Sequence, residues 1–215
     1  MKKVILTILA SLALTGVSYA GSFGVGVSGS IAKVAADGSE KEGTAADTSD
    51  LKANASAVTG IGSVFIDYQF DNELVFGFSH VPGSADVSDK AKTRSEVVDG
   101  VSGESTDGAV TFSANAEVEN FNTLYLEYPL GSTYVKLGYS QLDVNTKEKA
   151  QTDGGTYGNA TLDGVTIGAG VNGTLGGFFT KAGVEYTDFE ELKLSSTSNN
   201  SINANLDILE FKLGI

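Results

Sequence analysis

The sequence predicts an all-β fold, namely an eight-stranded antiparallel up-and-down transmembrane β-barrel. Eight segments alternate apolar and polar residues with a period of two, which is the pattern of a strand with two unlike faces. The connections between those segments are short and long in strict alternation. A stretch with the features of an export signal precedes the first segment.

The first twenty residues, MKKVILTILASLALTGVSYA, predict a secretory signal peptide. Lys2 and Lys3 precede an apolar run from Val4 to Leu14, and Ser18 and Ala20 supply the small residues of a cleavage site. A run this short does not span a bilayer as a helix, and a short buried helix would not need this order of charged, apolar and small residues. We therefore expect cleavage after Ala20, with residues 1–20 as the signal and residues 21–215 as one barrel domain.

The composition excludes several classes of function. Loss of Lys2 and Lys3 with the signal lowers the basic count from 14 to 12 against 27 acidic residues, so the net charge moves from −13 to −15. A chain this acidic is not expected to bind nucleic acid, because such binding depends on Lys and Arg contacts to phosphate. After residue 20 no run of 18 apolar residues predicts a transmembrane helix, and the chain has no cysteine.

The first four predicted strands each have one face that is clearly more apolar. These faces comprise Phe23, Val25, Val27 and Ile31 in about 23–33; Val64, Ile66, Tyr68 and Phe70 in about 61–70; Leu74, Phe76 and Phe78 in about 74–81; and Val118, Leu124, Leu126 and Tyr128 in about 116–128. The only two prolines, Pro82 and Pro129, fall at a strand end and in a turn, so neither interrupts a predicted ladder.

The last four predicted strands have the same construction. Their apolar faces comprise Val135, Leu137 and Tyr139 in about 133–144; Val165, Ile167, Ala169 and Val171 in about 161–171; Phe178, Ala182, Val184 and Tyr186 in about 176–188; and Leu209, Phe211, Leu213 and Ile215 in about 205–215. Periodicity alone does not decide whether these faces contact a protein core or lipid.

The connections favour a barrel in a membrane. Three are short, at Asp71–Glu73, at 129–132 and near Asn172-Gly173, a dipeptide typical of hairpin turns. Four are long and polar, at about 34–60, 82–115, 145–160 and 189–204. An up-and-down sheet places all short turns at one end, and short periplasmic turns with long extracellular loops are typical of outer-membrane barrels. Within 82–115, two apolar pieces, 97–98 and 109–112, either extend strands three and four as a hairpin or add two strands to make ten.

The opposite face of the strands predicts the barrel interior. It combines glycine, serine and aromatic residues with four acids and three bases, which suits the cramped interior of an eight-stranded barrel. Unpaired charges are costly to bury, so we expect these charges to pair in a network inside the lumen. The network comprises Asp67, Glu127, Lys136, Lys181, Glu185, Glu210 and Lys212.

Taken together, these features resemble the small outer-membrane β-barrel family of the OmpA-barrel, OmpX, opacity-protein and porin-like type. In that family, apolar residues alternate up to a C-terminal aromatic residue that the barrel-assembly machinery reads. Leu209, Phe211 and Leu213 fit this pattern, and Ile215 stands where phenylalanine is usual. The resemblance implies the outer membrane of a Gram-negative bacterium, contact with outer-membrane lipid, lipopolysaccharide and the barrel-assembly machinery, and a monomer.

Candidate catalytic and cofactor residues have simpler interpretations. Residues 168–173, GAGVNG, match a dinucleotide-binding fingerprint, but the residues that follow alternate as a strand, whereas the fingerprint requires a helix. His80 is the only histidine and is expected on the lipid side near the outer rim. The acidic loops lack the spacing of a calcium loop, although divalent cations would bridge them to lipopolysaccharide. We therefore predict no catalytic residue, no metal site and no cofactor.

The sequence thus predicts an integral outer-membrane protein with a structural or surface-interaction role, in envelope integrity or adhesion, and no enzymatic activity. A lumen filled by side chains argues against a general diffusion pore. The alternative is a small porin-like channel for a narrow set of small solutes. Two further alternatives are a lipid-modifying enzyme at the rim and a secreted lipocalin-like binder.

Overall fold

A computed structural model describes residues 21–41, 51–87, 92–97, 109–149, 156–196 and 201–215. The predicted signal peptide and its cleavage site after Ala20 lie outside these residues. Ten strands are described: β1 (Ser22–Lys41), β2 (Leu51–Gln69), β3 (Val75–Asp86), β4 (Lys92–Val97), β5 (Ala109–Leu130), β6 (Thr133–Lys149), β7 (Ala160–Leu175), β8 (Phe178–Phe189), β9 (Leu192–Ser195) and β10 (Ser201–Gly214). In these parts of the chain, no helix has the length and apolar character needed to span a membrane.

The sheet closes into an eight-stranded antiparallel barrel, which confirms the predicted fold class. Neighbouring strands follow the order β1, β2, β3, β5, β6, β7, β8 and β10. The last strand pairs with the first, from Ser28↔Gly214 to Lys41↔Ser201. We call the end of the barrel with the three short turns its lower end and the opposite end its upper end.

The two short strands, β4 and β9, each continue the line of an existing barrel strand, so the number of strands around the barrel stays at eight. β4 continues the line of β3 along β5, from Lys92↔Ala114 to Val97↔Ala109. β9 likewise continues β8 along β10. The ten-strand alternative is therefore wrong: Val97, in β4, and residues 109–112, in β5, extend the walls of the β3–β5 hairpin upward, and residue 98 lies outside the described residues.

The turn between β7 and β8 lies four residues beyond its predicted position. β7 continues through Asn172, which pairs with Lys181, and the turn falls at Gly176-Gly177. Both glycines have positive φ, 57° and 89°, as a type I′ turn requires. The prediction at Asn172-Gly173 was wrong because two adjacent glycines adopt this conformation with no Cβ penalty, whereas Asn172 keeps its place in the ladder.

A β-bulge reverses the side-chain alternation in β5. The register against β6 shifts between Glu119 and Asn122, and Asn120 there has a φ of 53°. Val118, predicted on the outward apolar face, therefore points inward and is 7% exposed. The inserted residue moves every side chain beyond it to the other face.

Below the level of the β5 bulge, the outer surface of the barrel is a continuous band of large apolar side chains, which we call the outward apolar belt. Most of the residues predicted for it are exposed in the structure. They include Phe23, Val25, Val27, Ile31, Val64, Ile66, Phe78, Tyr128, Val135, Leu137, Ile167, Val171, Phe178, Val184, Tyr186, Phe211, Leu213 and Ile215. Side chains of alternate parity point into the barrel.

Candidate functional site

The seven charged residues predicted for the lumen all lie inside the lower half of the barrel. Lys181, on β8, is the centre of a first group: its Nζ lies 2.8 Å from Asp67 Oδ2 and 2.6 Å from Glu127 Oε2. The Tyr125 hydroxyl donates a hydrogen bond to the other oxygen of Asp67. Three strands, β2, β5 and β8, thus meet at one ammonium group.

Glu185 is the centre of a second group. Lys136 Nζ lies 2.8 Å from Glu185 Oε1, and Lys212 Nζ lies 3.1 Å from Glu185 Oε2. Lys212 also lies 3.5 Å from Glu210 Oε2, whose other oxygen accepts a 2.7 Å hydrogen bond from the Ser30 hydroxyl. These contacts connect β6, β8, β10 and β1 across the interior.

Tyr125 connects the two groups. The Nζ of Lys136 lies 3.8 Å from the centroid of the Tyr125 ring, a cation–π contact, while the hydroxyl of the same ring binds Asp67. Glu127 and Lys136 face each other in the β5–β6 register, yet their closest ionic contacts are with Lys181 and Glu185. The ion pairs therefore cross the lumen.

Interior glycines make room for large aromatic side chains. A Cβ atom placed on Gly170 or Gly183 would lie 2.6 Å from the Tyr134 hydroxyl oxygen. Tyr134 is buried in the space that these two glycines leave. At Gly170 and Gly183, an aromatic ring thus occupies the glycine-lined interior that the sequence predicts.

A layer of hydroxyl groups lies above the charges. Thr123, Ser140, Thr166 and Thr187, on four successive barrel strands, are hydrogen-bonded in series at 2.9, 2.5 and 2.7 Å. All four are buried. This layer was not predicted from the sequence, although its signal is visible: Thr123, Ser140 and Thr187 have the inward parity of the charged residues on their strands, and Thr166 has that of the inward glycines on β7.

The interior of the upper half is an apolar cluster, which was also not predicted from the sequence. Its thirteen buried members are Ala32, Val34, Val87, Val118, Phe121, Leu142, Val144, Leu162, Phe189, Leu192, Leu194, Leu206 and Ile208. The rings of Phe121 and Phe189 meet edge to face, 5.9 Å apart. The sequence does contain a signal for this cluster, in the pattern Asn-Leu-Asp-Ile at 205–208. Its two apolar residues lie on the same face of β10 as the inward charges Glu210 and Lys212 further down the strand.

The space left between the charged side chains is small. A cavity of about 30 Å³ lies among Tyr125, Tyr134, Lys136, Lys181 and Glu185. A cavity of this size has room for about two water molecules. The fully buried Val34, Leu142 and Ile208 fill the barrel above it.

The other residues considered from sequence occupy the surface or a strand. His80 points outward, with its Nδ1 2.8 Å from Asn122 Oδ1, while the preceding Ser79 is buried inside. GAGVNG lies within β7, and no helix follows it. Across the described ranges, no three histidine or acidic side chains come together in a way that could hold a metal ion.

The predicted assembly strand closes the barrel. Phe211, Leu213 and Ile215 are exposed on the outward apolar belt, and Leu209 is partly exposed on the same face. The backbone of Ile215 pairs with that of Val27 through hydrogen bonds of 2.9 and 3.0 Å. Recognition of this strand by the barrel-assembly machinery stays a prediction.

Comparison with known proteins gives similarity of structure only. No protein-family model matches the chain, and no curated protein matches it. Among solved structures, it is similar to the outer membrane protease OmpT of Escherichia coli, with 10% identity over 90% of this chain and 97% of that one and a TM-score of 0.43. It is also similar to Neisserial surface protein A, with 11% identity over 90% and 99% of the two chains and a TM-score of 0.35.

A third similar structure is Ail, the attachment invasion locus protein of Yersinia pestis, in complex with the heparin analogue sucrose octasulfate. The identity is 14%, over 87% of this chain and 98% of that one, with a TM-score of 0.33. The fold assignment rests on the strand register of the chain itself. That register, with the outward apolar belt, is the fold of an outer-membrane β-barrel protein.

Proposed function

We propose that this chain is an integral outer-membrane protein of a Gram-negative bacterium, whose closed barrel does not conduct and holds long acidic connections at the cell surface. Its role is structural or in surface interaction, without catalysis. The observation that carries the proposal is the combination of an apolar exterior with an interior filled by side chains except for one small cavity.

The dimensions of the outward apolar belt support insertion in the outer membrane. On β1 the belt extends from Phe23 to Ile31, nine residues. At about 3.3 Å per residue and a tilt of about 40°, this length spans about 23 Å, close to the apolar band of about 25 Å on outer-membrane barrels. The barrel closes on itself through the pairing of β1 with β10 from Val27 upward, which supports a monomer.

The interior supports a non-conducting barrel over the alternative of a small channel. An ion that enters from the lower end meets three lysines and four acids already paired with one another. Above them, it would have to leave water for the apolar cluster, at the high cost of desolvating a charge. The proposal that the protein is not an enzyme is supported by His80, which binds Asn122 and lies on the opposite face from Ser79.

Planar-bilayer recording tests the proposal. Refolded protein whose insertion is verified by a shift in gel mobility between unboiled and boiled samples should give no steady current steps in potassium chloride. Current steps of uniform size whose frequency increases with protein concentration would instead establish the small channel. A boiled sample with no mobility shift, together with a soluble product in the periplasm, would reject the membrane location itself.

Lipopolysaccharide is the proposed neighbour of the outer surface, with divalent cations between its phosphates and the acidic side chains. Asp143, Asp163, Asp188 and Asp207 all point outward just above the belt, on β6, β7, β8 and β10. Two negatively charged surfaces require a cation between them. Retention of lipopolysaccharide by the purified protein should depend on magnesium and disappear with a chelator; retention unchanged by the chelator would contradict the bridge.

A further inference from the structure

We infer that the barrel has two halves of opposite polarity and that the hydrocarbon of the bilayer ends where they meet, so that the upper half stands in water around a hydrophobic core of its own. This inference rests on the proposed membrane location. It assigns the surface that contacts lipid residue by residue, and it places the apolar cluster outside the membrane.

The reversal of polarity is clearest along β10. In its lower part, Phe211 and Leu213 point outward while Glu210 and Lys212 point inward. Further up the same strand the assignments exchange: Leu206 and Ile208 point inward and are 5% and 2% exposed. Their outward neighbours, at 205 and 207, are polar.

The same reversal occurs on β6. Leu137 points outward and Lys136 inward in the lower part of the strand. Higher up, Leu142 is completely buried inside, and its outward neighbours Gln141 and Asp143 are polar. The exchange takes place within five residues, without a bulge in the β6–β7 ladder.

On β7 the reversal comes at the corresponding level. Ile167 points outward and Thr166 inward, whereas Leu162 points inward and Asp163 outward. Asp163 pairs in register with Gln141, so the polar outward face begins at the same level on both strands.

The physical reason is a change of outer solvent. A barrel wall in lipid needs apolar residues outside and satisfied polar groups inside. A barrel wall in water needs the reverse, because the hydrophobic effect then favours apolar side chains in the interior. A strand that crosses from lipid to water must exchange its faces at the boundary, and these strands do so at one level.

The pairing of β2 and β3 gives an independent marker of the same boundary. These strands pair from Gln69↔Val75 up to Val64↔His80. Above that pair, β2 continues to Leu51 against β1 alone, and β3 continues to Asp86 against β5 alone, among the described strands. Unpaired strand edges do not occur in the hydrocarbon, because their backbone groups would have no partner there.

On β3, β5, β6 and β7 the two markers coincide in the register. His80 pairs with Asn122 on β5, Asn122 with Gln141 on β6, and Gln141 with Asp163 on β7. This line of residues is where β6 and β7 exchange their faces. On β1, ten residues from Ala32 to Lys41 continue above the belt, which raises the wall about 25 Å over the bilayer.

Single-tryptophan fluorescence tests the inference, since the natural chain has no tryptophan. Phe211→Trp places the probe on the belt, Asn205→Trp places it outward on the upper part of the same strand, and Phe189→Trp places it in the apolar cluster. Each variant is reconstituted in vesicles of ordinary lipid or of lipid with brominated acyl chains, and insertion is checked by the gel shift on boiling.

Brominated lipid should quench Phe211→Trp at least twofold and leave the other two variants unchanged. Acrylamide in the water should quench Asn205→Trp alone, and Phe189→Trp should emit at short wavelength while protected from both quenchers. Phe121→Trp replaces Phe189→Trp if that variant does not insert.

The possible failures are distinguishable. If brominated lipid does not quench Phe211→Trp, the membrane location is wrong, and the proposed function fails with it. If it quenches both Phe211→Trp and Asn205→Trp, the protein is in the membrane but the boundary lies higher, which overturns the inference alone. Strong acrylamide quenching of the cluster probe would show that the upper half lacks a closed core, and would also overturn it.

Discussion

At the scale of single residues, Glu185 is the most consequential interior charge. It is 5% exposed and accepts hydrogen bonds from two lysines on either side of β8, Lys136 on β6 and Lys212 on the adjacent β10. A buried charge is stable only while its partners remain, and the removal of one partner leaves the others unpaired. Glu185 therefore stabilises Lys136 and Lys212 together.

Glu185→Gln should lower the free energy of unfolding by about 3–5 kcal/mol, because it leaves two buried ammonium groups without their shared carboxylate. Urea unfolding in lipid vesicles measures the change. Glu191→Gln is the matched control, because the Glu191–Lys193 pair is exposed and its loss should be small. Equal effects of the two substitutions would contradict a desolvated network.

At the scale of elements, turns and bulges decide the faces of the strands. The turn at Gly176-Gly177 lets β7 extend to Leu175 and β8 begin at Phe178, so all twelve pairs of that hairpin keep their register. The bulge at Asn120 changes which side chains of β5 enter the barrel. Both features are single-residue events whose effect extends along a whole strand.

Gly177→Ala should destabilise the protein by about 1–2 kcal/mol, because φ at this position is +89° and a Cβ atom is strained there. Gly173→Ala should cost much less, since Gly173 lies in an extended strand with an exposed outward position. Chemical unfolding of both variants in the same lipid makes the comparison. The reverse order of effects would move the turn back to Asn172-Gly173.

At the scale of the whole molecule, one chain meets two solvents. The lower half follows the rule for a wall in lipid, and the upper half follows the rule for a soluble protein. Leu137 and Leu142 illustrate the difference, since they lie on the same strand: one is exposed on the belt, and the other is completely buried in the apolar cluster.

Leu142→Ala should cost about 2–5 kcal/mol, because it opens a cavity in a closed core. Leu137→Ala should cost less, since lipid chains, which are as apolar as leucine, occupy the space that the substitution leaves. Unfolding free energies measured in vesicles decide between these expectations. A larger loss for Leu137→Ala would contradict the assignment of Leu142 to a core.

Much of the fold could be predicted because it depends on local features. A period of two identifies which residues share a face, and the alternation of connection lengths identifies an up-and-down order. These signals predicted the eight strands and assigned the seven lumen charges to the interior face. The position of the β7–β8 turn and the face of Val118 were missed because one glycine pair and one inserted residue outweigh the average pattern.

The order of residues along the chain was enough to predict the all-β class, the up-and-down order of the barrel and the face on which each of the seven charges lies. The three-dimensional structure was needed to show that the barrel has eight strands, that Glu127 contacts Lys181, that Lys136 contacts Glu185, and that apolar side chains fill the upper interior. The physical reason is that a face is set by neighbours along the chain, whereas a partner across the lumen is set by barrel closure, and therefore by the register of β1 against β10.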